Sequence, residues 1–484
     1  MMTSFTLLEL ATAMNATLVP IDLQADAISA KKINTDTRSI AEGDIFLALR
    51  GENFDGHDFV MQAQENGAVA AIVDQAYIEE NPPLTNQAFP LLVVGDTLLA
   101  LGQASLWNRK QFHGPLVAIT GSAGKTSVKS MAAHMMELVG ECWSTPGNFN
   151  NHIGAPLTLL GLKTQHKAAV IELGASGAGE IAYSSQFAKP DVAIITNVSG
   201  AHLEGFGSIE TIMRTKGEII DSLSADGCAV LNADDKFYAD WVLRAEGRKV
   251  ISFGIKNFAD VMATNICCQE DGSRFDLVYQ QQSFPCSIPL LGEHNVMNAL
   301  SAIAAGIAIH LDPEKICQQL KTLPAVAGRL QWVEGQEGIR ILNDSYNASP
   351  ASVKAAIDVL ALWKDKAWLV LGDMAELGDD SAAIHAEMGE YASNAGIANL
   401  VATGSACYHA VEAFRNNISN DDSKRNANWF KQQSELLNYI NNNKEPGQVF
   451  LVKGSRSAGM DKIVSALSIK NREGSTNRIG EGEV

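Results

Sequence analysis

No apolar run in this chain approaches the roughly eighteen residues a membrane span needs, so no segment reads as a transmembrane helix. The opening stretch MMTSFTLLEL lacks a basic region and carries Glu9, which argues against a secretory signal. Basic residues are outnumbered: 37 Lys and Arg against 55 Asp and Glu give a formal charge of −18. The mean field therefore repels polyanions and argues against nucleic acid as a partner. Any anionic substrate must meet local cations or a metal. The seven cysteines, at 142, 228, 267, 268, 286, 317 and 407, form no C-x-x-C pair, which suits a reducing compartment better than a disulfide framework or a zinc site. No repeat at solenoid spacing stands out. With no extra apolar stripe demanding a partner, these absences predict a cytoplasmic monomer with no membrane span.

At 484 residues the chain exceeds what one hydrophobic core serves, so several domains are expected. Short apolar runs such as Asp44–Leu49 and Ala68–Val73 read as a small α/β unit that ends at Asn81-Pro82-Pro83. From about Leu91 to Leu320, the β-rich runs LVAIT, AAVIEL, DVAIITNV and CAVLNA alternate with helix-like segments, implying a mainly parallel sheet. Beyond Pro324 the alternation restarts with IRILND, AWLVLGD, NLVATG and VFLVKG, a second doubly wound pattern whose strand ends hold Asp344, Asp373 and Lys453. The expected fold class is α/β in three domains. These are a small N-terminal α/β domain over 1–85, a central parallel-sheet P-loop ATPase domain over 86–324 and a Rossmann-like C-terminal domain over 325–470. The polar, glycine-rich stretch 471–484 reads as a disordered tail.

In Leu116–Val128, LVAITGSAGKTSV, a β-branched run breaks into a glycine-rich turn before a helical pattern resumes. In such a turn, backbone N–H groups and a helix start surround the phosphates of a nucleoside triphosphate, the lysine reaches their outer oxygens and the threonine hydroxyl ligates Mg²⁺. The candidate contacts are Gly121, Ser122, Ala123, Gly124, Lys125, Thr126 and Ser127. The pattern G-x-x-x-x-G-K-[ST] would need glycine where Ile119 stands, so a shorter cradle, T-G-x-x-G-K-T, remains. Glu172 ends a buried strand, where a carboxylate suits Mg²⁺ or pairs with a neighbouring lysine. DVAIITNVSGAHLEGFGS ends another strand with Asn197 and His202. There His202 is either a second metal ligand or a solvated loop histidine. In RTKGEII, Lys216 stands near the start of a helix over the same region.

The series TGSAGKTS, GNFNNHIGAP, IELGASGAGEI, AHLEGFGS, KGEI, LNADD, GEHNVMNALSAIA, AGRLQ, NDSYNASP, GDMAELG and VKGSRS resembles, in this order, the Mur ligases of peptidoglycan synthesis. It is most similar to the members that join D-alanyl-D-alanine to UDP-N-acetylmuramoyl-tripeptide. The resemblance implies ATP-dependent amide ligation through an acyl phosphate. Lys125 would bind the outer phosphates, Thr126 and Glu172 the first Mg²⁺, and His202 a second. Lys216 matches the family lysine that is carbamylated. Asn295 and Asn298, three apart on one helix face, are assigned by the resemblance to adenine, although helical asparagines also serve as caps or face solvent. Arg329 and Asp344 match residues that contact phosphate and ribose, which implies closure of the C-terminal domain about hinges near Pro115 and Leu323-Pro324. Such closure would shield the acyl phosphate from water.

In the first domain, Thr37, Arg38 and Ser39, with Asn53, Gly56 and His57, resemble a uridine nucleotide site. A surface turn with an incidental arginine fits the same residues. Asn148, Asn150 and Asn151 suit hydrogen bonds to phosphate or the muramoyl moiety, or simply form a turn. Lys453, Ser455 and Arg456 are candidates for a carboxylate of D-alanyl-D-alanine, and Ser176 receives no role. Another ligase of the superfamily, such as a folylpolyglutamate synthase, would share the phosphate turn and metal residues but not the first domain. A non-catalytic nucleotide switch would bind ATP and release no phosphate with any acceptor.

Overall fold

The computed structural model describes residues 4–20, 24–51, 53–81, 89–199, 203–418 and 425–469. The tail expected over 471–484 lies outside them. The chain forms two compact units: Met1–Cys268 with Ser273–Ile288 and Glu293–Leu323, and Gln269–Gly272 with Pro289–Gly292 and Pro324–Val484.

The first unit carries two large sheets and a short antiparallel pair, β1 (Phe5–Thr6) with β3 (Ser29–Ala30). Its N-terminal sheet runs β2 (Thr17–Val19), β7 (Leu91–Val94), β6 (Ala70–Asp74), β5 (Asp44–Leu47) and β4 (Lys32–Asn34), parallel except for β2. Sequence alternation placed Leu91–Val94 in the central domain, whereas pairing places it here. A continuous apolar run buried on both faces suits either parallel sheet, and only its neighbours decide. The helix Thr97–Lys110, capped by Asp96, then buries Ala100, Leu101 and Ala104 in the core under this sheet. Leu160, from the segment beyond the phosphate turn, enters the same core, so the first two expected domains pack as one unit.

The second sheet has nine strands. In spatial order they are β16 (Gln282–Ile288), β15 (Gly272–Tyr279), β14 (Val261–Gln269), β13 (Lys249–Gly254), β12 (Cys228–Asn232), β11 (Val192–Ile195), β8 (Leu116–Thr120), β10 (Ala168–Glu172) and β9 (Cys142–Ser144). From β14 to β9 the pairings are parallel. Every residue of β8, β10, β11 and β12 is buried, as expected of strands covered on both faces. After β8 the chain crosses to β9 and β10 on one side, then to β11 and β12 on the other. The carboxyl end of β8 therefore lies at a switch of strand order, where such sheets bind ligands.

In the second unit, β17 (Gln331–Glu334) pairs antiparallel with β18 (Arg340–Asp344). The sheet continues in parallel through β22 (Val449–Lys453), β19 (Ala367–Gly372), β20 (Asn399–Thr403) and β21 (Asn426–Phe430). The helices Pro350–Leu360, Ser381–Asn394 and Cys407–Asn416 cover one face; Gln433–Asn443 and Asp461–Leu467 cover the other. This is the doubly wound arrangement expected from the sequence. Two of its helices meet at Gly389, where an added Cβ would stand 1.9 Å from the Ala410 carbonyl oxygen. Backbone cannot yield as a flexible side chain can. Gly389→Ala should therefore destabilise this unit by on the order of 3 kcal/mol, read as a lowered melting temperature. An unchanged melting temperature would show that the helices separate freely.

Candidate active site

Three strand ends converge at the turn after β8. Register sets Glu172 of β10 beside Ile119 and Ile195 of β11 beside Thr120. The turn Gly121–Gly124 leads into the helix Lys125–Met136, with both glycines at positive φ (148° and 83°). Space as well as conformation requires glycine here. A Cβ at Gly121 would stand 1.9 Å from Thr196 Oγ1, and one at Gly124 would stand 2.4 Å from Asn298 Oδ1. Asn298 thus packs directly on the phosphate turn. Both Asn295 and Asn298 are buried, and Asn298 Nδ2 donates to Asn295 Oδ1 at 3.2 Å.

The Lys125 ammonium folds back onto the carbonyls of Gly121 (2.7 Å) and Ser122 (3.4 Å). Glu172, 2 % exposed, receives the Thr126 hydroxyl at 3.3 Å and Asn150 Nδ2 at 2.8 Å on Oε1. Its Oε2 accepts no hydrogen bond among the described residues and faces Lys129 Nζ at 3.4 Å. Lys129 also donates to the Gly147 carbonyl at 3.0 Å, tying the phosphate helix to the GNFNN segment. In that segment Asn151 Oδ1 accepts the Gly154 N–H at 2.7 Å where the next helix begins, and Asn148 lies in the turn. A buried anionic oxygen without a hydrogen bond, beside a threonine hydroxyl, makes an all-oxygen set of the kind Mg²⁺ takes. The residues fit such an ion.

Lys216 lies in the helix Ile209–Asp221 and is 2 % exposed. Among the described residues no carboxylate pairs with it, and Nζ stands 5.6 Å from the Phe206 ring centre. Burial, and secondarily the Lys125 ammonium, push its pKa down to about 7. His202 lies outside the described residues. Asp235, in LNADD, accepts the Val198 and Phe237 N–H groups at 2.7 and 2.9 Å, and burial raises its pKa.

In the N-terminal sheet, Thr37, Arg38 and Ser39 form one 3-10 turn capped by Asp36. Arg38 is exposed and paired with Asp36 through Nη2 at 2.8 Å. Asn53 is exposed. Gly56 is buried, with room for no Cβ against the Leu49 backbone, 2.7 Å away. His57 is buried with both ring nitrogens engaged. Nε2 accepts the Asp74 N–H at 3.1 Å, so Nδ1 carries the proton and donates to Asp55 at 2.6 Å. Its ring ties β6 to the turn after β5, a structural task the sequence did not disclose.

In the second unit, Asp344 Oδ2 binds Lys453 Nζ at 2.6 Å, and Oδ1 accepts the Leu330 N–H. Lys453 is 1 % exposed and also donates to the Asn347 carbonyl; burial lowers its pKa, with Asp344 opposing. The Arg329 guanidinium lies over the Tyr346 ring, 4.4 Å from its centre. Ser455 donates to the Asp373 carbonyl, while Arg456 is exposed. Asp373, His385 and Cys407 bring ligand atoms within 4.8 Å of one another. His385 nevertheless accepts the Met374 N–H on Nε2 and donates from Nδ1 to the Ser381 carbonyl, so neither nitrogen has a lone pair to give a metal.

Family models match three successive parts of the chain: "Mur ligase family, catalytic domain" at 29–106, "Mur ligase middle domain" at 119–306 and "Mur ligase, glutamate ligase domain" at 328–456. The UDP-N-acetylmuramoyl-tripeptide--D-alanyl-D-alanine ligase of Escherichia coli (strain K12) is 40% identical over 470 residues, 96% of this chain and 99% of its own. The chain belongs to the Mur ligase family. The ligase of the same name from Bacillus subtilis (strain 168) is 35% identical over 90% of this chain and 92% of its own. Among solved structures, MurF from Acinetobacter baumannii superposes with a TM-score of 0.87 at 34% identity, covering 96% of this chain and 98% of its own. MurF ligase from Thermotoga maritima in complex with ADP gives 0.77 at 27% identity, covering 90% and 97%.

The sequence offered Glu172 either Mg²⁺ or a neighbouring lysine, and the lysine it faces across the helix–strand contact is Lys129, which the sequence had not singled out. The available signal was helical spacing: Lys129 follows Thr126 by three residues and so shares its face. Thr145, whose hydroxyl accepts the Glu172 N–H at 2.9 Å, carried no such signal.

Proposed function

We propose that the protein is an ATP-dependent amide ligase that adds D-alanyl-D-alanine to UDP-N-acetylmuramoyl-tripeptide in peptidoglycan precursor synthesis. One observation carries this reading: the likeness to ligases of that name runs through 96% of the chain and so includes the N-terminal domain, the part in which a folate ligase would differ. A carboxylate is a poor electrophile, because oxide cannot leave at neutral pH. Transfer of the γ-phosphoryl group from ATP to the terminal tripeptide carboxylate gives an acyl phosphate and ADP. The D-alanyl-D-alanine amine then attacks the carbonyl, loses a proton and expels phosphate.

Lys125 turns from the Gly121 and Ser122 carbonyls to the outer phosphates, and the helix start donates N–H groups to them. Asn295 and Asn298 hold the adenine. Arg329 and Asp344 serve phosphate and ribose, with Lys453 orienting Asp344. Thr37, Arg38 and Ser39 meet the uridine diphosphate, with Asn53, Gly56 and His57 shaping that pocket. Asn148, Asn150 and Asn151 serve the phosphate or muramoyl group, and Ser455 and Arg456 the dipeptide carboxylate. Two Mg²⁺ ions, one held by Thr126 and Glu172 and one by His202 and Lys216, would supply charge neutralisation to the phosphates. Lys216 serves as its carbamate. Burial brings its pKa down to about 7, so neutral amine is present near pH 7 and able to add to CO₂, forming an N–C bond and releasing a proton. We read the protein as a monomer acting in the cytoplasm, where ATP and nucleotide-linked precursors are found.

Purified protein with MgATP should release ADP only when UDP-N-acetylmuramoyl-tripeptide and D-alanyl-D-alanine are both present. Release supported equally by a folate and glutamate would replace this function with the related one. ATP binding without phosphate release under any acceptor would indicate a switch.

A further inference from the structure

The phosphate turn is short, and its first half is held from outside. Ser122 N–H donates to the Asn197 carbonyl at 2.9 Å, and Ala123 N–H donates to Asn197 Oδ1 at 3.0 Å. The Ala123 carbonyl accepts Asn197 Nδ2 at 3.2 Å and the Thr196 hydroxyl at 2.7 Å. Ser122 Oγ accepts the Ser199 N–H at 3.0 Å and donates to the Ser199 carbonyl at 3.2 Å. The brace is itself anchored, since Asn232 Nδ2 donates to the Thr196 carbonyl at 2.9 Å and Val198 N–H to half-buried Asp235 at 2.7 Å.

We infer that Asn197 is a positioning residue that fixes the first half of the phosphate turn, so that triphosphate oxygens meet only the second half and the start of the Lys125–Met136 helix. Only a side-chain amide offers one acceptor and one donor spaced to satisfy both the N–H and the C=O of a single residue. Aspartate lacks the donor, and serine lacks the reach. With both polar groups of Ala123 committed, its peptide planes cannot rotate. The conformation of Gly124 and the direction of the following N–H groups are then set before nucleotide arrives. Binding therefore avoids the cost of ordering the turn. Asn197 acts through the turn and needs no contact with substrate. The inference rests on the proposed nucleotide-binding function.

The test is calorimetric titration of the full-length protein with MgADP, compared among wild type, Asn197→Ala, Asn197→Asp and Thr196→Val. Loss of the two amide bonds should weaken MgADP about ten-fold in Asn197→Ala. Asn197→Asp should lose more, because it turns a carboxylate toward the Ala123 carbonyl. The unliganded melting temperature should fall only by what two lost hydrogen bonds cost, UDP-N-acetylmuramoyl-tripeptide affinity should stay at the wild-type value, and KM for ATP should rise by a larger factor than kcat falls. Thr196→Val removes only the hydroxyl on Ala123, and a loss of about three-fold there keeps the inference open to test if Asn197→Ala does not fold. Wild-type protein that binds MgADP while every folded variant binds within two-fold of it overturns this inference alone. Wild-type protein that binds no MgADP overturns the proposed function and this inference together.

Discussion

Lys216→Arg should lower kcat by a factor on the order of 10³ while MgATP still binds, and Lys216→Ala should be equally inactive but partly rescued by acetate or formate. Lys216 is buried, has no carboxylate partner among the described residues and lies close enough to Lys125 for like charge to depress it further. A lysine in an ordinary salt bridge would tolerate arginine. A lysine that works as a carbamate would not, because guanidinium does not add CO₂ and the site then keeps a cation where it needs an anion. A small carboxylic acid diffusing into the alanine variant restores the negative oxygens without the chain. The sign of the pH effect follows from the same residue. Its pKa is pushed down from 10.5 to about 7, so the reactive neutral amine grows as pH rises through 7 and is lost below it. Wild-type activity at limiting bicarbonate should therefore fall as pH drops below about 7 and recover when bicarbonate is added. The rescued alanine variant should lack that bicarbonate dependence. Near-normal activity in Lys216→Arg would remove the carbamate from the mechanism.

Glu172→Gln should also cost two to three orders of magnitude in kcat, and its interpretation depends on Lys129. The amide keeps the shape of the carboxylate and its contact with Asn150 but removes the anionic oxygen that suits Mg²⁺. It also strands the Lys129 ammonium, 8 % exposed at its side chain, without its counter-charge, a loss on the order of 3–5 kcal/mol for a broken buried pair. Stability and catalysis are thus confounded in the single variant. Glu172→Gln combined with Lys129→Met separates them: the melting temperature should return toward wild type while activity stays lost. Recovery of activity with stability would make Glu172 a structural counter-ion and nothing more.

The parts of this molecule that were legible in its sequence are local. A glycine turn between an apolar strand and a helix, carrying Lys125 and Thr126, is readable from a dozen consecutive residues, and alternation of apolar runs with amphipathic segments indicated parallel sheets. What the sequence hid depends on pairing between distant segments. Nothing near Leu91–Val94 said which of two parallel sheets it would join. His57 sits among polar turn residues that look exposed, yet its ring is consumed by Asp55 and Asp74. Lys453 read as a cation for a substrate carboxylate, and the fold gives it Asp344 across 109 positions of sequence. Asn197 was visible as the end of a strand. Its grip on Ala123 exists only because β11 lies beside β8.

The activation step can be followed atom by atom. With ¹⁸O in the terminal carboxylate of the UDP-N-acetylmuramoyl-tripeptide, attack of that oxygen on the γ-phosphorus and later departure of phosphate carry the label out of the substrate. Mass spectrometry of the inorganic phosphate released should find one ¹⁸O atom for each amide formed. Unlabelled phosphate, or amide formed at full rate without any triphosphate, would contradict carboxylate activation by ATP.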